Sequence, residues 1–96
     1  MKKFQVITKN GCPKCETLKA WLKQKNLKFE EWKIEDQKIV DILLKDEKFV
    51  QKFCDIDGCA VYTPVIRIVD SGEYFFKELF GIEGIREPFI KKLLAI

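Results

Sequence analysis

Two cysteines near the start of the chain, Cys12 and Cys15, lie three residues apart in a Cys-Pro-Lys-Cys run. A cysteine attacks a disulfide only as the thiolate, so such a pair can perform thiol–disulfide exchange where its surroundings favour the anion. In that chemistry Cys12 is the candidate nucleophile. Cys15, one helical turn further on the same face, is the candidate resolving thiol. The chain contains no histidine, so no imidazole can assist either cysteine.

The residues around this pair predict that a helix starts at Cys12. The apolar, strand-like run Phe4–Thr8 ends before a glycine, and Pro13 then occupies a first helical position, where its missing N–H costs nothing. Unpaired backbone N–H groups at a helix start stabilise negative charge, and Lys9 and Lys14 add positive potential. The position therefore favours a thiolate at Cys12.

A Cys-x-x-Cys pair can also be half of a zinc or iron–sulfur site, and the chain has a second pair, Cys54 and Cys59. Three interpretations of this second pair stay open: unreactive thiols, an auxiliary or regulatory disulfide, or a four-cysteine metal or cluster site with Cys12 and Cys15. The intervening Asp57-Gly58 can turn the chain back and allow a disulfide. Spacing alone does not decide among the three.

Composition limits the class of protein. The chain has 96 residues, of which 47% are hydrophobic, enough for the core of one domain over residues 1–96. Its 18 basic and 15 acidic residues are spread along the whole length, which argues against a nucleic-acid partner. Polar residues interrupt the start before a signal peptide could form, so neither secretion nor a membrane span is indicated. We expect a cytoplasmic monomer with no bound cofactor.

Hydrophobic periodicity predicts the element order β-α-β-α-β-β-α. The first strand is followed by an amphipathic helix, a second strand, a helix capped by an aspartate that continues as a further helical stretch, a connecting loop, a β-hairpin and a final helix. In order, these predicted elements are Phe4–Thr8, Pro13–Lys25, Phe29–Ile34, the helix after Asp36 with its continuation through Phe53, the loop Cys54–Tyr62, the hairpin strands Val65–Val69 and Glu73–Phe76, and Arg86–Ile96.

Together, the Cys12–Cys15 run after the first strand, Thr63-Pro64 before the third strand and this element order resemble glutaredoxins and the small glutaredoxin-like thioredoxins, over nearly the whole chain. The resemblance implies an α/β thioredoxin fold, in which helices flank a four-stranded mixed β-sheet. It also implies a cis bond at Pro64, with Thr63 offering backbone hydrogen bonds to an extended substrate segment beside the dithiol. From the residues alone, a strand-entry turn explains Thr63-Pro64 about equally well.

The chain departs from the family pattern at three places. Lys14 stands where glutaredoxins commonly have an aromatic residue. The family's glycine pair, which binds the γ-glutamyl end of glutathione, is matched at best by Gly81-Ile82-Glu83-Gly84, where the glycines are separated. The buried acid of thioredoxins has no counterpart in Phe4–Thr8.

The resemblance implies a reductase of protein or small-molecule disulfides. Its dithiol would be reduced again either by glutathione or by a thioredoxin-reductase-type flavoenzyme. Lys9 occupies the position of a family lysine that binds a glutathione carboxylate, although a solvated surface lysine is the alternative. Besides the catalytic pair, the candidate substrate contacts are Lys9, Pro13, Lys14, Thr63, Pro64 and Gly81.

Overall fold

A computed structural model describes residues 2–96 and contains the predicted elements together with short ones that the sequence did not indicate. The predicted domain also includes residue 1, which lies outside the described residues. The longest helix has 12 residues, and no helix within residues 2–96 is long and apolar enough to cross a membrane. In order, the elements are β1 (Phe4–Thr8), α1 (Pro13–Gln24), β2 (Glu30–Lys33), α2 (Gln37–Leu44), α3 (Glu47–Phe53), β3 (Cys54–Asp55), β4 (Gly58–Cys59), β5 (Val65–Ile68), β6 (Tyr74–Phe75), a 3-10 turn (Lys77–Leu79), β7 (Phe80–Gly81), β8 (Gly84–Ile85) and α4 (Glu87–Leu94).

The main sheet has four strands in the order β2-β1-β5-β6. Strand β1 runs parallel to β2 and antiparallel to β5, and β5 and β6 form the predicted hairpin. The parallel pair is joined through α1, because two parallel neighbours need a crossover connection. The four-stranded mixed sheet of the thioredoxin fold is therefore confirmed.

Side chains alternate between the two faces of this sheet, and each face has its own apolar cluster. Val6 of β1 and Ile66 of β5 point to the face covered by α1 and α4, where they pack with Leu18, Leu22, Ile90 and Leu94. Ile7 and Val65, the next residues in register, point to the opposite face, where they pack with Leu43, Phe49, Phe53 and Tyr74. Helices thus cover both faces of one sheet.

The helical stretch through Phe53 is a separate helix rather than a continuation of α2. Asp36 and Asp46 each accept a hydrogen bond from the backbone N–H two residues later, both at 3.0 Å. Two such N-caps start two helices, and the chain turns at Lys45 between them. The second cap was hidden in the sequence because Asp46 lies among other charged residues.

The segment predicted as a loop, Cys54–Tyr62, contains a two-stranded hairpin. Cys54 is directly opposite Cys59 and Asp55 opposite Gly58, and the N–H of Ala60 donates to the carbonyl of Phe53 at 2.8 Å. A second small hairpin, β7–β8, pairs Gly81 with Gly84. Strands of two residues are too short to show an alternating pattern, so the sequence does not predict them.

Candidate active site

The register of the sheet brings together two segments that are distant in the chain. Ile7, near the end of β1, pairs with Val65, the first residue of antiparallel β5. The segment after β1 and the segment before β5 therefore meet at one edge of the sheet. As a result, the hydroxyl of Thr63 donates to Sγ of Cys12 at 3.4 Å, and the carbonyl oxygen of Thr63 lies 3.8 Å from the same sulfur.

Cys12 is the N-cap of α1, as its position before Pro13 predicts. Its backbone is extended, and its Sγ accepts the N–H of Cys15 at 3.2 Å. Its carbonyl accepts the N–H of Glu16, which closes the first turn of the helix. Pro13 occupies a first-turn position that needs no donor. The sulfur thus sits at the positive end of the helix dipole with a backbone donor aimed at it, an arrangement that stabilises a thiolate.

The two cysteines of the motif form a disulfide with their Cα atoms 5.2 Å apart. Cys12 keeps 9% of its surface exposed, whereas Cys15 is fully buried. An incoming disulfide therefore meets Cys12 first, and Cys15 can be reached only through its partner sulfur. The predicted roles, with Cys12 as attacker and Cys15 as resolver, require such an asymmetry.

The Thr63–Pro64 peptide bond is cis, as the resemblance implies. Pro64 is buried beneath the rim of the site, and the preceding Tyr62 is 64% exposed. The ring of Tyr62 stacks on that of Phe76, with the centroids 5.7 Å apart. An exposed aromatic surface therefore lies directly next to the residue that contacts Cys12. Sequence reasoning missed Tyr62, although its position before Thr63 was an available signal.

Lys14 places its ammonium 5.6 Å from the ring centroid of Phe80. Phe80 of β7 thus places an aromatic ring beside Lys14, a contact that the sequence does not indicate. Gly81, the neighbour of Phe80, pairs with Gly84 and lies next to Arg86. A pocket of about 550 Å3 lies at the β7–β8 hairpin, lined by Gly81, Ile82, Glu83, Gly84, Ile85 and Arg86, among others.

Lys9 is exposed and is not drawn into the dithiol site by any contact. Within residues 2–96, no carboxylate lies within 4 Å of its ammonium. The nearby Asn10 N–H donates to the carboxylate of Glu35 at 2.8 Å, so an acid borders this part of the rim. The contacts described above join Cys12, Pro13, Cys15 and the Thr63–Pro64 loop, whereas Lys9 has no such contact and Gly81 lines a separate pocket.

An acidic side chain does reach the end of β1, but from the neighbouring strand. The buried Thr8 donates its hydroxyl to Oε2 of Glu31 at 2.7 Å, and Lys19 of α1 reaches the same oxygen at 3.0 Å. The Thr8 hydrogen bond, followed by Lys19, lowers the pKa of Glu31. In turn the hydrogen bond from Lys19 to Glu31 raises the pKa of Lys19. The sequence did not indicate Glu31 as the acid at this position, because Glu31 lies on the neighbouring strand and only β1 was considered.

The second cysteine pair also forms a disulfide, between Cys54 and Cys59, with the Cα atoms 3.9 Å apart. Each cysteine pair therefore forms its own disulfide, and no disulfide joins the two pairs. Among residues 2–96, no group of three or more cysteine or acidic side chains is gathered as metal ligands would be. The structure thus does not bring the four cysteines together as the metal-site interpretation requires.

A mixed four-stranded sheet, a helix capped by the first cysteine of a dithiol, and a cis-proline loop against that cysteine define the thioredoxin-fold class of thiol–disulfide proteins. The glutaredoxin family model matches residues 4–57, and the chain belongs to the glutaredoxin family. No curated protein matches the chain.

Solved structures give the same fold over the full length. The chain is similar to the thioredoxin-like protein BC3987, with 26% identity, a TM-score of 0.62, and coverage of 96% of this chain and 100% of that one. A point mutant of that protein gives 27% identity, a TM-score of 0.64, and coverage of 100% and 99%. Fold and family together indicate a thiol–disulfide oxidoreductase type of role.

Proposed function

We propose that this protein reduces protein or small-molecule disulfides through its Cys12–Cys15 dithiol. The observation that supports this most is the environment of the Cys12 sulfur. It accepts the N–H of Cys15, lies 3.4 Å from the hydroxyl of Thr63, and is within bonding reach of Cys15. These contacts stabilise the attacking anion and keep the resolving thiol next to it.

The proposed cycle has two exchange steps. The Cys12 thiolate attacks one sulfur of the substrate disulfide, which forms a mixed disulfide and releases the other substrate sulfur as a thiolate. The Cys15 thiolate then attacks Sγ of Cys12, which releases the second substrate sulfur and forms the Cys12–Cys15 disulfide. Each departing thiolate takes a proton from water, and the substrate gains two electrons that the dithiol loses.

For the substrate, we propose an extended segment lying along Thr63. The exposed ring of Tyr62, stacked on Phe76, offers that segment an apolar contact on one side of Cys12. Lys14 over Phe80 offers a cation on the α1 side. A site with one aromatic wall and one basic residue favours disulfides whose neighbours are apolar or acidic.

Glutathione is the electron donor that family membership supports. The pocket lined by Gly81 also contains Arg86, whose guanidinium can pair with a carboxylate of the tripeptide. Two molecules of glutathione would reduce the Cys12–Cys15 disulfide and leave as glutathione disulfide. The flavoenzyme alternative is favoured by the separated glycines of Gly81–Gly84, because the family uses adjacent ones for the γ-glutamyl end.

The proposal is tested by the rate of hydroxyethyl disulfide and insulin reduction, with two donor systems compared at equal protein concentration. One contains glutathione, glutathione reductase and NADPH, and the other contains thioredoxin reductase and NADPH. We expect turnover with the first and complete loss of it in Cys12→Ser. Full activity in Cys12→Ser would refute the assignment. Turnover only with the second system would replace glutathione by the flavoenzyme. Cytoplasmic location and a monomeric state stay predictions.

A further inference from the structure

The Cys54–Cys59 pair lies outside the site described above and has its own structural frame. The two residues face each other directly across the β3–β4 ladder, with Asp55 opposite Gly58 at the next position. On the other side of the pair, Ala60 donates to the carbonyl of Phe53 at 2.8 Å. At the tip, the N–H of Asp57 donates to the side chain of Asp55 at 2.8 Å.

The hydrogen bonds of this frame do not involve the sulfur atoms. The ladder and the end of α3 hold the two backbones together by main-chain contacts, and the N–H of Cys54 donates to the carbonyl of Val50. At the tip, the side chain of Asp55 adds the hydrogen bond from Asp57. When the disulfide is reduced, the two thiols therefore remain neighbours. A pair held in this way can form its disulfide again at a small cost in conformational entropy of the loop.

The two sulfur-bearing residues differ in their access to solvent. Cys59 is exposed, whereas Cys54 is half-buried and packs against the apolar cluster that includes Phe53. Because Cys59 is the more exposed residue, we expect an incoming thiolate to attack its sulfur and Cys54 to be the leaving group. This asymmetry is what a pair needs to exchange in a defined order.

Cys59 also lines a small surface pocket of about 220 Å3 with Phe53, Asp55, Asp57, Gly58 and Ala60. Two carboxylates border this pocket, and no lysine or arginine of residues 2–96 lines it. At this position the two carboxylates repel an anionic thiol and attract a thiol that carries an ammonium group. The effect is largest at low salt, because these charges are exposed.

We propose that Cys54–Cys59 is a second thiol–disulfide exchange site, separate from the Cys12–Cys15 dithiol, which reacts through Cys59 with small thiols and prefers those bearing an amine. A thiolate attacks Sγ of Cys59, which forms a mixed disulfide and releases Cys54 as a thiolate. A second small thiol attacks the outer sulfur of that mixed disulfide, which frees Cys59 and leaves as the small symmetric disulfide. The protein pair gains two electrons and two protons, and the two small thiols lose them.

The test uses a Cys12→Ser/Cys15→Ala variant, in which serine keeps the N-cap of α1 and alanine suits the buried position. The variant is equilibrated with defined ratios of cysteamine and cystamine and quenched with iodoacetamide. Mass spectrometry of the intact protein then counts the alkyl groups. We expect a reversible gain of two alkyl groups in the folded protein, as circular dichroism will show. Peptide mapping of the wild-type chain under the same conditions tests the pair in the unmodified protein.

Order and charge preference are tested separately. Further replacement of Cys54 by Ser should leave a Cys59 that forms a mixed disulfide with cystamine about tenfold faster than Cys54 does in the matching Cys59→Ser variant. For each small thiol, the rate of reducing the pair is divided by its rate of reducing hydroxyethyl disulfide. This ratio should be about threefold higher for cysteamine than for glutathione at low salt. Asp55→Asn/Asp57→Asn should remove that preference, because asparagine keeps the turn acceptor without the charge.

Three results would contradict the inference. A pair that stays oxidised until denaturant is added would be a structural crosslink. Equal reaction rates of Cys54 and Cys59 would exclude the proposed order of attack. An unchanged thiol preference in Asp55→Asn/Asp57→Asn would exclude the pocket as the source of selectivity.

Discussion

At the scale of single residues, the chemistry depends on two donors that point at one sulfur atom. The N–H of Cys15 is close in sequence to Cys12, whereas the hydroxyl of Thr63 comes from 51 residues away. Hydrogen bonds of this kind are stronger when the acceptor is charged, so both favour the thiolate over the thiol. We therefore propose that the Thr63 contact contributes to the activation of Cys12, and a single substitution can remove it.

Replacing Thr63 by valine keeps the shape of the side chain but removes its hydroxyl. The loss of one hydrogen bond to the anionic sulfur should cost about 1 kcal/mol, which corresponds to about fivefold slower alkylation of Cys12 at neutral pH. The reduced protein is treated with iodoacetamide, and the modification of Cys12 is followed by peptide mass spectrometry. Thr63→Ser retains the donor and serves as the control. Equal rates for wild type and Thr63→Val would exclude this contact as an activating one.

Which site residues could be predicted follows from how far apart in the chain their partners lie. Cys12, Pro13 and Cys15 belong to one local motif whose helix start is visible in the sequence, and the structure places them as expected. Tyr62 and Phe80 were missed because their roles depend on Phe76 and Lys14, partners that only the folded chain brings near. Pairing between distant side chains leaves no periodic trace in a single sequence.

At the scale of elements, a polar cluster ties the start of α3 to the β5–β6 hairpin. The hydroxyl of Tyr74 donates to Asp46 at 2.6 Å and accepts from Nε of Arg67 at 3.2 Å. Asp46 is also the N-cap of α3 through its other oxygen. Burial, and then the hydrogen bond to Asp46, raises the pKa of Tyr74 to about 12. The phenol therefore stays protonated in the folded protein at a pH where the unfolded chain ionises.

This shift predicts a loss of stability at alkaline pH. The unfolded tyrosine releases its proton near pH 10.0 and the folded one near pH 12, so the contribution of Tyr74 is complete below pH 10.0 and falls as the pH rises to about 12. Tyr74→Phe should cost about 1 kcal/mol at pH 8 and lose less stability than wild type between pH 9 and pH 11. Denaturant unfolding at each pH measures this difference. A constant gap between the two proteins would contradict the assignment.

The elements differ in how strongly the sequence pattern predicts them. β1 and α1 were predicted almost to the residue, because each has several apolar positions at regular spacing and a clear end signal. The hairpin β3–β4 was predicted as a loop because its two-residue strands, held by pairing with each other, are too short to show alternation. The break between α2 and α3 depends on the cap at Asp46, one charged residue among several.

At the scale of the whole molecule, the dithiol site rests on a sheet whose two faces are buried by different helices. Leu22 of α1 is fully buried in the cluster that supports the helix carrying Cys12. Leu44 of α2 is 48% exposed, although it has the same side chain. Because the two apolar clusters share the strands of one sheet, disrupting one should weaken the whole fold rather than one part of it.

A pair of matched leucine variants tests this view. Leu22→Ala should lower the free energy of unfolding by about 2–5 kcal/mol, since it removes buried methyl groups and leaves a cavity. Leu44→Ala should lower it by less than about 1 kcal/mol. Urea unfolding is followed by circular dichroism and by tryptophan fluorescence, and one coincident transition is expected for each variant. Equal losses for the two leucines, or separate transitions in the two signals, would be inconsistent with a shared core.

The central claim is that Cys12 attacks and Cys15 resolves, and a trapped intermediate tests it most directly. Cys15→Ser can form the mixed disulfide but cannot release it. Reduced Cys15→Ser, mixed with hydroxyethyl disulfide and analysed by peptide mass spectrometry, should carry one mercaptoethanol adduct on Cys12. Cys12→Ser under the same conditions should carry none on Cys15, because that residue is buried. An adduct on Cys15 in Cys12→Ser, or none on Cys12 in Cys15→Ser, would contradict the account.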